Sequence, residues 1–157
     1  MKKIEIFSRH CNSSKFSEDR ERLKGFSKTA CYKNLKKTID KNLSNITFLM
    51  DGNPDEHFLK NEKEFKVVKI DGGSQAKSWD SALKHVINNN FSDEQIIYFI
   101  EDDYLHFRSS LEEMIGTYER ISSQLNKDLI ICPSDYPYLY MNNEKTNLLI
   151  GSKRHWR

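Results

Sequence analysis

An α/β protein, with a mainly parallel, Rossmann-like sheet flanked by helices, is predicted by three features of the sequence. Short runs rich in β-branched and aromatic residues alternate with longer segments of helical periodicity, the order that builds βαβ units. Three of those runs stop at acidic or glycine-rich turns: Met50-Asp51-Gly52, Ile70-Asp71-Gly72-Gly73 and Ile100-Glu101-Asp102-Asp103. Parallel strands bring such ends to one edge of a sheet, and that edge is where open α/β sheets bind ligands. At 157 residues the chain is expected to form a single domain, 1–157, with a proper core.

The elements follow in order. Ile4 to Ser8 is a first strand, and the polar segment Cys11 to Arg22 is a loop or partial helix. Ser27 to Asn42 carries Ala30, Leu35 and Ile39 at helical spacing, with Ser27 placed to cap the start. Asn45 to Met50 is a second strand, ended by the turn-forming run Asp51-Gly52-Asn53-Pro54, and Asp55 to Asn61 suits a helical turn. Phe65 to Ile70 is a third strand. Ser74 to Asn90 is a helix whose buried face is expected to hold Trp79, Ala82, Leu83, Val86 and Ile87. Ile96 to Ile100 reads as a strand buried on both faces. A helix over Phe107 to Ile121, a short strand over Leu129 to Cys132, and a hairpin of Tyr136 to Met141 with Thr146 to Ile150 complete the chain.

Composition excludes several classes. The formal net charge is +2 and the charged residues, 31% of the chain, mix both signs, so nonspecific nucleic-acid binding has no support. No apolar run approaches the roughly 20 residues that span a bilayer. The amino terminus reads as entering a strand directly, with no apolar signal region, so secretion is not expected. Cys11, Cys31 and Cys132 lack metal-ligand spacing and suit reduced thiols. A cytoplasmic location is expected, with peripheral attachment at the inner membrane face as its variant.

The acidic cluster carries the chemistry. Alternate side chains of an extended segment share a face, so Glu101 and Asp103 are expected to point one way and Asp102 the other. A like-charged pair on one face is relieved by a hard divalent cation. The competing reading is an acidic cap for the helix that follows. Asp51 and Asp71 end neighbouring strands on the same rim. His106 has a metal reading and a surface reading, while His10, His57 and His85 read as surface residues. Trp79 reads as core, and Tyr136, Tyr138 and Tyr140 suit either a sugar platform or sheet packing.

Three stretches then resemble one family: NITFLMDGNPDE (Asn45 to Glu56), GGSQAKSWDSALKHVINN (Gly72 to Asn89) and YFIEDDYLHFRSSLEEM (Tyr98 to Met114). Over Lys3 to about Ile131 the chain resembles the nucleotide-sugar-binding half of a GT-A glycosyltransferase of the family-two-like group. The resemblance implies a metal-dependent transferase using a nucleoside-diphosphate sugar, UDP- or GDP-linked, and a saccharide or other hydroxyl acceptor. It implies Mn²⁺ or Mg²⁺ at a DxD-like motif through Asp103 and Glu101, with His155 as a further candidate ligand. It implies donor contacts from Ser8, Arg9, Asp51, Asp71, Gly73, Glu101 and Asp102. The family's acceptor site and base lie beyond the length present here, so the acceptor-binding part is expected to be truncated or minimal. Asp135 is the candidate base, with a turn acid before Pro137 as the other reading. A non-catalytic nucleotide-sugar-binding module is the alternative. A receiver-like phosphoacceptor domain modified at Asp51 is a third reading, but it wants an acidic pair where Ser8, Arg9 and His10 stand. A metal nuclease would want a lysine beside the acids on a matching strand.

Overall fold

The structure, a computed structural model, describes residues 4–13, 21–22, 24–134, 149–150 and 155–156, the last four as backbone only. The chain divides into two compact units, Met1–Phe107 and Arg108–Arg157.

The first unit is built on four parallel strands: β1 (Ile4–Cys11), β2 (Ser44–Asp51), β3 (Lys66–Ile70) and β4 (Ile96–Glu101), in the order β3-β2-β1-β4. The all-parallel sheet agrees with the α/β expectation. Consecutive residues Ile6, Phe7 and Ser8 of β1 are all buried, as are Phe48, Leu49 and Met50 of β2, so the two central strands are covered on both faces. The chain steps from β1 outward through β2 to β3, then crosses back to lay β4 on the other side of β1. Strand order therefore reverses between β1 and β4, and the carboxyl ends of those two strands flank the crevice that such a reversal leaves.

Two helices link these strands. Helix α1 (Lys28–Thr38) starts where Ser27 accepts a hydrogen bond from the Ala30 N–H at 3.0 Å, and it buries Cys31 and Leu35. It ends before the expected Asn42 because Ile39 turns extended, after which Asp40 caps the next turn through Asn42 and Ser44. Helix α2 (Gln75–Asn88) starts at Ser74, whose hydroxyl accepts from the Lys77 N–H at 3.3 Å. Ala82 joins Phe7, Leu49 and Ile70 in the core, with Trp79 and Val86 packed against them. Leu83 and Ile87 do not share that face: they are 47% and 71% exposed. Each lies one helical step of about 100° past a packed position, Ala82 or Val86, and so off the packed stripe. Two 3₁₀ turns, Pro54–Glu56 and Phe58–Asn61, follow β2 and bury His57 and Leu59.

The second unit contains α3 (Ser110–Leu125) and a short antiparallel pair, β5 (Leu149–Ile150) with β6 (His155–Trp156). Helix α3 starts later than the expected Phe107 and buries Leu111, Met114 and Ile115 at helical spacing. Leu129 to Cys132, expected as a strand, joins no ladder among the described residues, and Ile130 is fully exposed. Of the expected hairpin only Leu149–Ile150 falls among the described residues, and it pairs with His155–Trp156. Tyr136, Tyr138 and Tyr140 lie outside the described residues.

Candidate functional site

A cavity of about 590 Å³ opens at the carboxyl edge of the first unit's sheet. Strand β1 lines it with Arg9, His10 and Cys11, β2 with Asp51, and β4 with Glu101 and the two aspartates that follow. The start of α2 contributes Gly73, Ser74 and Ser78, and the segment leading into α1 contributes Arg22 and Lys28.

The three consecutive carboxylates each meet a different cation. Arg9 Nη2 donates to Glu101 Oε1 at 2.5 Å, Lys28 Nζ stands 2.7 Å from Asp102 Oδ2, and Arg22 Nη1 donates to Asp103 Oδ2 at 2.9 Å. The Arg9 guanidinium also lies over the Trp79 ring, 4.7 Å from its centroid, so a face of the indole expected only as core helps to hold a charge. Asp102 Oδ2 further accepts the Cys11 N–H at 3.4 Å. Burial raises the Asp102 pKa above the usual carboxylate value, opposed by the hydrogen bond and charge of Lys28. Burial alone would favour neutral Lys28, but the Asp102 bond and charge outweigh it and its pKa is raised. The Cys11 thiol is pushed up by burial despite Lys28, which makes it a poor nucleophile.

The expected alternation of Glu101, Asp102 and Asp103 does not hold. Strand β4 ends at Glu101 and the next two residues form a turn, so all three side chains reach the cavity. Pleating dictates opposite faces only while the backbone stays extended. Nor does the cluster cap the following helix: α3 begins at Ser110, well past Asp103.

Asp51 lines the cavity through a backbone clamp. Its Oδ1 accepts the N–H of Gly72 at 3.0 Å and of Gly73 at 3.3 Å, which ties the end of β2 to the turn that opens α2. Gly73 has φ +68, the left-handed region that glycine enters at no steric cost. At Gly72 a Cβ would lie 2.5 Å from Ser78 Cα, so the first turn of α2 needs a glycine there to approach. Asp71 is turned outward, 3.7 Å from Lys69, and does not line the cavity. Ser8 is buried one step short of the edge and bonds His10 Nε2 at 2.9 Å; it too lies outside the cavity lining.

The histidines differ from the surface residues expected. His10 and His57 are buried, with ring centroids 5.6 Å apart. Burial, then the neighbouring His57 and Lys28, lowers the His10 pKa to about 3, so the ring is neutral. His106 hydrogen-bonds Tyr98 Oη at 3.1 Å through Nε2, while its backbone is bracketed by the Asn34 amide; burial lowers its pKa to about 4. His85 is half-buried beside Phe7. Asp135 lies outside the described residues, and of His155 only the backbone pairing with Ile150 is described.

Arg22, Lys28, His10 and Ser78 are cavity residues that pattern reasoning missed. Lys28 follows the capping Ser27 and so sits on the first turn of α1, a position legible in the sequence; its partner on another element was not.

Among the described residues no group of three or more His, Cys, Asp or Glu side chains is close enough to hold a metal ion alone. The carboxylates at 101–103 nonetheless offer hard oxygen donors of the type Mg²⁺ and Mn²⁺ take, and such ions need few of them when phosphates and water complete the shell. Each carboxylate already has a cationic partner, so an ion must compete for it. No helix among the described residues is long and apolar enough to cross a membrane. The fold and cavity define an α/β protein with a charge-lined cavity at its strand-order reversal. Compared with known proteins, the chain matches no family model, no curated protein and no solved structure.

Proposed function

We propose that this chain is a GT-A-like nucleotide-sugar-binding domain of a metal-dependent glycosyltransferase. The supporting observation is the convergence of Asp51 and the Glu101–Asp103 cluster, distant in sequence, on one cavity at the reversal of strand order. A pocket of this size and place suits a small molecule with both polar and charged parts.

Asp51, oriented by the Gly72 and Gly73 N–H groups, has its second carboxylate oxygen to accept hydrogen bonds from the base or ribose of the donor. Arg9, Arg22 and Lys28 supply cationic donors for phosphate oxygens, with the start of α2 adding its backbone dipole. Glu101 and Asp103 would hold the divalent ion, whose contribution is Lewis-acid neutralisation of the charge that builds on a leaving diphosphate. His10, neutral by burial, would offer a ring nitrogen as an uncharged contact. The acceptor is a saccharide or another hydroxyl compound.

The test is a thermal-shift screen of UDP-, GDP-, CMP- and dTDP-sugars with and without Mn²⁺. A true donor at a hundredfold excess over Kd stabilises the fold by about 2.7 kcal/mol. If no nucleotide sugar shifts the transition in either condition, the reading is wrong.

A further inference from the structure

Two exposed apolar side chains of the first unit stand on one short segment whose backbone is tied down. Leu105 and Phe107 are 68% and 72% exposed, with His106 between them. The Asn34 amide of α1 clamps the His106 backbone. Asn34 Nδ2 donates to the His106 carbonyl at 3.1 Å, and the His106 N–H donates to Asn34 Oδ1 at 2.6 Å. The His106 ring turns inward to Tyr98 Oη on β4, 3.1 Å away. With the middle residue pinned, its two neighbours are presented outward. Large apolar groups kept in water in this way gain from any surface that covers them.

The same clamp fixes which part of α1 borders the segment. Lys33 precedes Asn34 and Lys37 follows it by nearly one turn, and both are exposed. Lys28 and Lys36, the other lysines of this helix, each pair with an acid. Lys33 and Lys37 have no ion pair among the described residues. Cations without acids, set beside outward apolar side chains, match an anionic lipid surface: the apolar groups enter the acyl boundary while the lysines reach headgroup phosphates. A folded protein partner fits less well, because four side chains offer far less than the roughly 800 Å² per partner of a stable interface.

We propose that Leu105, Phe107, Lys33 and Lys37 form a docking surface for an anionic phospholipid bilayer. The surface gives peripheral attachment a definite face of the molecule, and it requires no nucleotide sugar. Asp103 lines the cavity and precedes Leu105 by two residues, so its backbone lies within about 7 Å of the docked segment. Docking therefore brings one wall of the cavity close to the lipid headgroups.

Co-sedimentation with vesicles tests this, using phosphatidylcholine alone and phosphatidylcholine mixed with phosphatidylserine. The protein should bind the mixed vesicles at least about tenfold more tightly, since each lysine contributes about fivefold, and the preference should fade as salt rises. Replacing both lysines, Lys33→Gln with Lys37→Gln, should remove most of it. Leu105→Ser should weaken binding to mixed vesicles by about tenfold, and Phe107→Ser serves if that variant does not fold. Ile87, 71% exposed on α2, is the control. Tyr32 of α1 packs on Phe48 while α2 packs on Leu49, and these neighbours in β2 face opposite sides of the sheet. Ile87→Ser should therefore leave binding unchanged. The proposal is overturned by no binding of wild type to mixed vesicles, by equal binding to both vesicle types, or by unchanged binding in the folded Leu105 and Phe107 variants. Equal losses in Ile87→Ser and Leu105→Ser also overturn it. So does a dimer, seen by sedimentation velocity without vesicles, that Leu105→Ser dissociates, since the patch would then belong to a second copy of the chain.

Discussion

Arg9 and Glu101 are register partners across the β1–β4 ladder, and their side chains meet at 2.5 Å where that ladder ends. Because strand order reverses between these two strands, the pair stands at the mouth of the crevice, with Trp79 of α2 beneath the guanidinium. Charge on one strand end is thus balanced by its neighbour, and the same holds for Asp102 and Asp103 through Lys28 and Arg22.

Asp103→Asn keeps size and hydrogen bonding but removes the charge a hard cation requires. It should abolish the Mn²⁺-dependent part of donor binding and lower stability by about 1 kcal/mol, because the Asn amide oxygen still accepts from Arg22 but without its charge. Asp102→Asn should reduce metal-dependent binding less and stability more, by about 1–3 kcal/mol, because its oxygen holds both Lys28 and the Cys11 N–H. Titration calorimetry and urea unfolding of both variants decide this; equal losses of metal-dependent binding would contradict it.

Ser78→Ala removes a buried hydroxyl that has no partner among the described residues and places a better helix former in α2. The free protein should gain about 0.5–1 kcal/mol. Affinity for the best nucleotide sugar should fall at the same time. A variant that binds as tightly as wild type would show that Ser78 makes no ligand contact.

Gly72→Ala and Gly73→Ala should part company. At Gly72 the new Cβ meets the Ser78 backbone and Asp51, so about 1–3 kcal/mol of stability should be lost and the Asp51 clamp distorted. At Gly73 the space is open and only the left-handed φ opposes alanine, at about 1 kcal/mol. Denaturant midpoints in the reverse order would show that the close approach of α2 is not made in solution.

The buried histidines should make the fold acid-sensitive before its carboxylates do. His10 and His106 have pKa values lowered from 6.5 to about 3 and about 4, so the unfolded chain binds their protons first. Their stability contribution is complete above pH 6.5 and is lost as pH falls from there toward about 4, by up to about 1.4 kcal/mol per pH unit for each ring. Glu62 acts lower. Burial would raise its pKa, but Tyr32, the Glu64 N–H and Lys36 hold it at about 2, so its loss begins below the ordinary value of 4.5. Unfolding free energies measured across pH should fall between these limits, and His10→Gln, which cannot take the proton, should flatten the slope. An unchanged slope in that variant would mean His10 is hydrated in the folded protein.

Much of the architecture was legible in the sequence because it depends on local chemistry. β-Branched runs, the capping serine Ser27, and the turn residues after β2 and β3 specified their elements one by one. Parallel strands then placed Asp51 and the Glu101–Asp103 run on one rim without further information. Periodicity failed where a local rule stopped applying: beyond the end of β4, where alternation lapsed, and at Leu83 and Ile87, which lie off the stripe of α2 that packs on the core. Only the tertiary structure decided which cation meets which carboxylate, that Ser8 turns inward while Asp71 turns out, and that His10 is buried and neutral. The reason is physical. Hydrophobic pattern and turn chemistry act over a few residues, whereas pairing of charges and burial of a polar ring depend on distances between elements that no single segment encodes.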